Sequence, residues 1–309
     1  PMRRPIKANK FSWDALTPSD GFQSYGTRYW KHNGTEETEN LGGDDSRVIM
    51  DRAIPFIEKA VESQRPFLAV IWFHAPHLPV VAGTDDGAAY REHPVYARNY
   101  YGCVTALDKQ VGRLRKRLRD LNVAEETMFW FCSDNGPEGN DSAPGSAGSL
   151  RGRKRSLYEG GVRVPGILEW PGNIDPGVID AAVVTSDLLP TTLDVTGIDY
   201  PDNRELDGIS VMPILRGRTD SRAAPIGFQS AKQIAWHNGN QKLYSRDQGK
   251  TWELYDLQSD PAERHDLAEK RPERVRELIK QVNAWRESCR RSDRGEDYAD
   301  PPQGKRDSQ

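Results

Sequence analysis

Thr127-Met-Phe-Trp-Phe-Cys-Ser-Asp-Asn-Gly136 is the stretch on which the fold turns. Its first six residues carry no charge, the pattern of a strand covered on both faces, and it ends in Ser133-Asp134-Asn135-Gly136. An Asn-Gly pair on its own is more often a turn than a metal site. At the carboxyl end of a buried strand, where open α/β sheets hold their ligands, the doublet takes on a second meaning. A carboxylate beside a side-chain carbonyl presents two hard oxygens, which calcium or magnesium prefers, and a glycine lets the backbone approach closely.

Upstream, Phe67-Leu-Ala-Val-Ile-Trp-Phe73 is a second continuous apolar run and reads as another strand of the same parallel sheet. Between the two, Val104, Leu107, Val111, Leu114, Leu118 and Leu121 recur at helical spacing, and the basic run Arg113 to Arg119 falls mainly on the solvated side. Before them a helix is expected from Asp45, with Ser46 as its N-cap and Pro55 kinking or dividing it. Two strand–helix units in series predict an α/β fold with a mostly parallel sheet flanked by helices.

Downstream, Val162 to Trp170 and Ala181 to Thr185 read as strands, and Ser186 or Asp187 can cap a helix through Val195, with Pro190 in its first turn. Glu205 to Gly217 reads as a connection. Runs at 226–229, 233–237, 242–245 and 252–255, with turns at Asn238-Gly239 and Gln248-Gly249, predict a small antiparallel sheet. A helix from about Pro272 to Cys289 and a polar tail complete the chain. The expected division is a catalytic α/β domain over 1–217, a small α+β subdomain over 218–290, and a disordered tail over 291–309.

Composition narrows the function. The 309 residues are 36% hydrophobic and 29% charged, enough for a real core, and the net charge of −3 gives no global reason to bind nucleic acid. No run approaches the ~20 apolar residues that span a bilayer. Cys103, Cys132 and Cys289 are too widely spaced for a zinc motif and odd in number, so no disulfide framework is indicated. The polar, irregular first 44 residues open no sheet and read as a start in mid-domain.

Two histidines follow the 67–73 run, in His74-Ala-Pro-His-Leu-Pro79, and should emerge on the same sheet edge as Asp134. Most single histidines are satisfied by loop hydrogen bonds, but prolines stiffen this loop, which suits a general acid that must be held in place. His77 is the candidate acid; His74 is a candidate to support the site's own residues from behind or to face the substrate. Lys154 stands in the basic cluster Arg151 to Arg155. Solvated surface is the favoured reading of Arg151 and Arg155, whereas a lysine near a divalent metal would neutralise a bound oxyanion. Gly160 and Gly161 read as structural. Trp236, His237 and Trp252 can be read as sugar-facing, although core packing is the more common role.

His77-Leu78-Pro79, Asp134-Asn135-Gly136, Lys154 and Tyr158-Glu-Gly-Gly-Val-Arg-Val-Pro165 follow one another as in sulfatases, and the chain resembles that family over roughly residues 40 to 270. Leu206-Asp-Gly-Ile-Ser210, Glu253-Leu-Tyr-Asp-Leu257 and Asp260-Pro-Ala-Glu263 resemble its domain junction and C-terminal strand and turn. The resemblance implies an alkaline phosphatase-like fold, one calcium ion, and a formylglycine whose hydrated aldehyde attacks the sulfur of a sulfated carbohydrate or aryl sulfate. Asp134 and Asn135 match calcium ligands, His77 the histidine at the leaving oxygen, and Lys154 the lysine that holds sulfate; His74 is assigned to substrate. The family's Cys/Ser-x-Pro-x-Arg nucleophile motif follows none of the three cysteines, so the nucleophile is expected upstream of these residues and the chain alone is expected to be inactive. The first pair of calcium aspartates is likewise expected upstream, because Asp44 and Asp45 precede a helix and are better read as capping it. A periplasmic or secreted location follows by family analogy. The alternatives are a phosphodiesterase or phosphonate monoester hydrolase of the same superfamily, and a non-catalytic binder of sulfated glycans.

Overall fold

The computed structural model describes residues 29–41, 45–77, 80–140, 142–200 and 204–297. They fall into two compact units, one built from residues up to 129 with 141–144, the other from 130–140 with the rest of the chain from 145.

In the first unit, α1 (Asp45–Glu62) packs on α2 (Val95–Asp120). Met50, Ile54 and Ile57 of α1 meet Leu114 and Leu118 of α2 at helical spacing, and Phe67, Ile71, Phe73 and Phe129 close the cluster. The charged faces meet as well: Arg117 Nε donates to Glu58 at 2.6 Å, and Arg113 pairs with Asp51. The basic run is thus partly a seam to α1 and otherwise solvated. Pro55 does not divide α1. Ser46, expected as the cap, lies inside the helix with a buried hydroxyl that has no partner. The helix α2 begins nine residues before its apolar stripe, and the residues it buries there are Asn99, Gly102 and Cys103. A Cβ at Gly102 would come within 2.5 Å of Ala82 Cβ, so close approach rather than bulk fixes that end.

Phe67–Phe73 departs from expectation. It belongs to no strand ladder among the described residues, and it is covered on one face only. Phe67, Ala69, Ile71 and Phe73 are partly buried, whereas Leu68, Val70 and Trp72 are 72, 69 and 83% exposed. The period of two is that of extended chain, with a core beneath it and, among the described residues, no cover above.

In the second unit, β1 (Phe129–Cys132, all but its first residue) pairs with β2 (Gly166–Glu169) in a two-stranded sheet. With one neighbour among the described residues, β1 is only partly buried, not covered on both faces as its sequence suggests. The expected strand from Val162 is shorter, because Glu159–Val162 makes a helical turn, α3. Residues 181–185 form no strand: Val184 N–H donates to Asp187 Oδ2 at 2.9 Å, so a side chain takes a backbone donor that a ladder would need. The helix α4 (Leu188–Thr196) then ends on Gly197 at φ +65°, and a short turn, α5 (Met212–Leu215), follows. The intervening connection is pinned by Asp187, which is fully buried. It accepts Ile209 N–H at 2.9 Å and a bidentate pair from Arg222 at 2.5 and 2.9 Å.

The small sheet follows the expected order, β3 (Ile226–Ser230), β4 (Gln233–Asn238), β5 (Gln241–Ser245) and β6 (Glu253–Asp256), all antiparallel neighbours. Alternation sorts its faces. Ile234, Trp236, Leu243 and Leu254 pack against Leu278 and Val282 of α6 (Pro272–Asp293), while Ala235, Tyr244 and Tyr255 pack against Leu157 and Tyr158. Leu278 and Val282 are fully buried, each contributing about 1.5–3 kcal/mol. Gly227 is required here, since a Cβ would sit 2.5 Å from the Trp285 indole, whose ring centroid lies 5.6 Å from that of Trp236. Trp236 and Trp252 are core residues, the former donating Nε1–H to Gln281 at 3.1 Å. The helix α6 runs to Asp293, four residues beyond the expected end; residues 298–309 of the expected tail lie outside the described residues. Cys132 and Cys289 are free thiols.

Candidate functional site

In the second unit, the Asp134-Asn135-Gly136 turn leaves β1 and is fastened at once to two later segments. Gly136 N–H donates to Gly161 O at 2.9 Å, and Lys154 N–H donates to Pro137 O at 3.1 Å. A Cβ on Gly136 would stand 1.9 Å from Gly160 O, and one on Gly160 would stand 2.2 Å from Gly152 O. The glycines are therefore the condition for stacking three backbone segments in contact. Residues 134–137, 151–154 and 158–161, distant in sequence, are thus joined through direct main-chain hydrogen bonds.

The side chains differ in their engagement. Asp134 is exposed; Asn135 Nδ2 donates to Gly136 O at 2.9 Å, which leaves its Oδ1 for another partner. Two oxygen donors of this kind suit a hard divalent cation but fall well short of the six to eight oxygens calcium takes. Among the described residues no three His, Cys, Asp or Glu side chains gather into a metal cluster. Lys154 Nζ lies 3.7 Å from Glu138 Oε2, and the Arg155 guanidinium holds the Glu138 carboxyl below its usual range. Arg155 is exposed, as expected. Arg151 is not solvated surface: its guanidinium stacks 3.9 Å from the Tyr158 ring centroid and donates to Tyr255 Oη at 2.9 Å and Glu263 O at 3.0 Å. An aromatic ring and a carbonyl offered this arginine better partners than water.

Beneath the turn lies a charged group that the sequence does not announce. Glu159 is buried, and its Oε1 lies 2.9 Å from Lys242 Nζ and 3.3 Å from His237 Nε2. Burial opposes the charge on Glu159, yet the His237 and Lys242 contacts bring its pKa down to about 2. Lys242 Nζ also lies 2.9 Å from Glu263 Oε1, and Glu263 Oε2 accepts Glu159 N–H at 2.6 Å. Burial pushes the Glu263 carboxyl up and the His237 imidazole down. His237 belongs to this group and does not face solvent as a sugar contact would.

In the first unit, His74 Nδ1 bonds Asp45 Oδ2 at 2.8 Å, and that bond raises the imidazole pKa against the effect of burial. The carbonyl of His74 accepts His77 N–H at 2.7 Å, closing the turn that carries His77, whose ring belongs to an exposed residue. Asp45, expected to cap α1, spends one oxygen on His74, and its other oxygen is buried without a partner. A histidine 29 residues away outcompetes the local amides because the bond is charge-assisted. Leu78, Pro79 and Asp44 lie outside the described residues. Asp45, Glu159, Lys242 and Glu263 are the residues that sequence reasoning gave no chemical part. An alternating strand carrying an inward lysine at 242 was the one available signal.

The family model described as Sulfatase matches residues 6–198, and that described as N-sulphoglucosamine sulphohydrolase, C-terminal, matches residues 152–288. A sulfatase of Formosa agariphila is 30% identical over 287 residues, covering 80% of this chain and 49% of that protein. Arylsulfatase A of Homo sapiens is 31% identical over 236 residues, covering 67% of this chain and 45% of the other. The crystal structure of Ps i-CgsB matches with a TM-score of 0.74 at 28% identity, over 82% of this chain and 57% of that one. The putative sulfatase yidJ of Bacteroides fragilis, at 21% identity and a TM-score of 0.68 over 85% and 63% of the two chains, shares the fold. These neighbours show the alkaline phosphatase-like α/β fold, and the chain spans about half the length of these two curated relatives. With a matching family model that extends over more than half of its residues, the chain belongs to the sulfatase family.

Proposed function

We propose that the whole protein hydrolyses a sulfuric ester, releasing sulfate from a sulfated carbohydrate or aryl sulfate. The observation that carries the reading is the backbone stack of 134–137, 151–154 and 158–161, which groups the candidate metal donors Asp134 and Asn135 with the candidate sulfate lysine Lys154 in a chain of this family. Calcium, when bound, would polarise a sulfuryl oxygen. Asp134 and Asn135 would hold it through their side-chain oxygens, and Lys154 would exchange Glu138 for the sulfate as negative charge builds there. His77 would give its proton to the departing oxygen, and His74, held by Asp45, would face the substrate. The nucleophile would be a formylglycine outside these residues, in keeping with the missing Cys/Ser-x-Pro-x-Arg motif. A saccharide substrate is favoured by Ps i-CgsB, which was solved with k-i-k-neocarrahexaose. A location in the periplasm or outside the cell accords with this substrate; no helix of the described residues is long and apolar enough to cross a membrane.

The test is sulfate release from an aryl sulfate and from sulfated oligosaccharides by the full-length protein, with Lys154→Ala and Asp134→Ala alongside. The expected result is turnover that calcium chelation abolishes and that either substitution lowers about 100-fold or more. Equal or faster turnover of the matched phosphate esters would overturn the assignment to sulfate.

A further inference from the structure

Lys242 is fully buried on β5, directly across from His237 on β4, and its ammonium is held between two carboxylates. An amine enclosed this way is costly unless its partners are well placed, and the two partners here come from segments with different tasks. Glu159 opens the turn Tyr158–Gly161. Glu263, also fully buried, follows β6 at a φ of +53°. Its other oxygen takes the Glu159 amide, and its carbonyl takes Arg151, so one residue grips both segments that flank the doublet. From Glu159 the connection is short. Gly160 N–H bonds Arg151 O at 2.7 Å, Gly161 O receives Gly136 N–H, and Gly136 has Asp134 and Asn135 immediately before it.

We propose that Lys242 and Glu263 are positioning residues for the Asp134-Asn135-Gly136 turn: by clamping Glu159 they fix the Gly160–Gly161 backbone on which Gly136 is seated, and so set where the two side-chain oxygens point. The part of this that concerns a cation rests on reading Asp134 and Asn135 as metal donors. The small antiparallel sheet is then part of the site's scaffold, its buried ammonium acting beside the packing of Tyr244 and Tyr255 on Tyr158 and the Arg151–Tyr255 bond.

The experiment compares Lys242→Met, the isosteric Glu263→Gln, and Val282→Ala, which loosens the packing of α6 on the sheet without touching the clamp. Amide hydrogen exchange is followed at Gly136 and Gly160 in the folded chain, and calcium is titrated calorimetrically. Lys242→Met is expected to speed exchange at both amides about tenfold or more, with Glu263→Gln acting in the same direction and Val282→Ala leaving both near the parent value. Calcium affinity should fall about 10- to 100-fold in Lys242→Met and not in Val282→Ala. Unchanged protection of Gly136 in both clamp variants, or an equal loss in Val282→Ala, would overturn the proposal. If Lys242→Met does not fold, Glu263→Gln decides it. A parent protein that binds no calcium would refute the metal reading, while the exchange measurements would still decide the clamp.

Discussion

Gly136→Ala isolates the contact on which the site's geometry depends. The new Cβ would meet Gly160 O at 1.9 Å, the Gly160 carbonyl carbon at 2.9 Å and Gly161 Cα at 3.1 Å. All three are backbone atoms, so no side-chain rotation relieves the clash. Restoring an ordinary contact requires the two segments to part by about 1.5 Å, which stretches the 2.9 Å Gly136–Gly161 bond past the range of a hydrogen bond. The lost bond costs about 0.5–1.5 kcal/mol. Forced overpacking adds about 1–3 kcal/mol. A loss of this combined size lowers Tm by roughly 2–7 °C in a chain of 309 residues. Urea denaturation followed by tryptophan fluorescence measures the first quantity and scanning calorimetry the second. Gly112→Ala is the control: its Cβ meets nothing within 4 Å in mid-helix, and it should stabilise by about 0.5–1 kcal/mol. A Gly136→Ala protein whose Tm lies within about 1 °C of the parent would refute the steric reasoning.

Asp45→Asn should remove the carboxylate that raises the His74 pKa. A raised histidine pKa stabilises the fold at pH below its ordinary value of 6.5, and the contribution disappears as pH rises through the folded value. The parent should therefore exceed the variant in stability most at mildly acidic pH, and a gap that widens toward alkaline pH would contradict this. Asp187→Ala strands a buried guanidinium and should cost about 3–5 kcal/mol, of which Arg222→Met in the same chain restores a part. Denaturant titrations of both singles and the double close the cycle, with a coupling of about 0.5–3 kcal/mol expected. Trp72→Ser, at a position 83% exposed, should shift stability by no more than about 0.5 kcal/mol, and a larger loss would mean that this face is covered in solution.

What could be read from residues alone followed a clear division. The small sheet was legible to within a residue or two because its short runs are separated by turns that carry Asn-Gly and Gln-Gly. The 134–136 turn and Lys154 were legible as motifs, while the backbone bonds that join them were not, since a bond between main-chain atoms leaves no residue type behind. Phe67–Phe73 and 181–185 were misjudged for opposite reasons. The first has the composition of a strand and no ladder partner among the described residues; the second gave its backbone donor to Asp187. The buried charges were the hardest to see. Lys242 and Glu159 lie 83 positions apart, and a lysine in an alternating strand is ordinarily assigned to water.

The glycine at 227 has a practical corollary. Because the Trp285 indole fills the space a side chain would need and lies beside that of Trp236, the two chromophores are close enough for their excited states to mix. Undocking of α6 would separate them, so the near-ultraviolet dichroism of this pair is an intrinsic optical gauge of whether the terminal helix is seated. Introducing bulk at 227 would silence that signal and leave the far-ultraviolet spectrum of the helices in place.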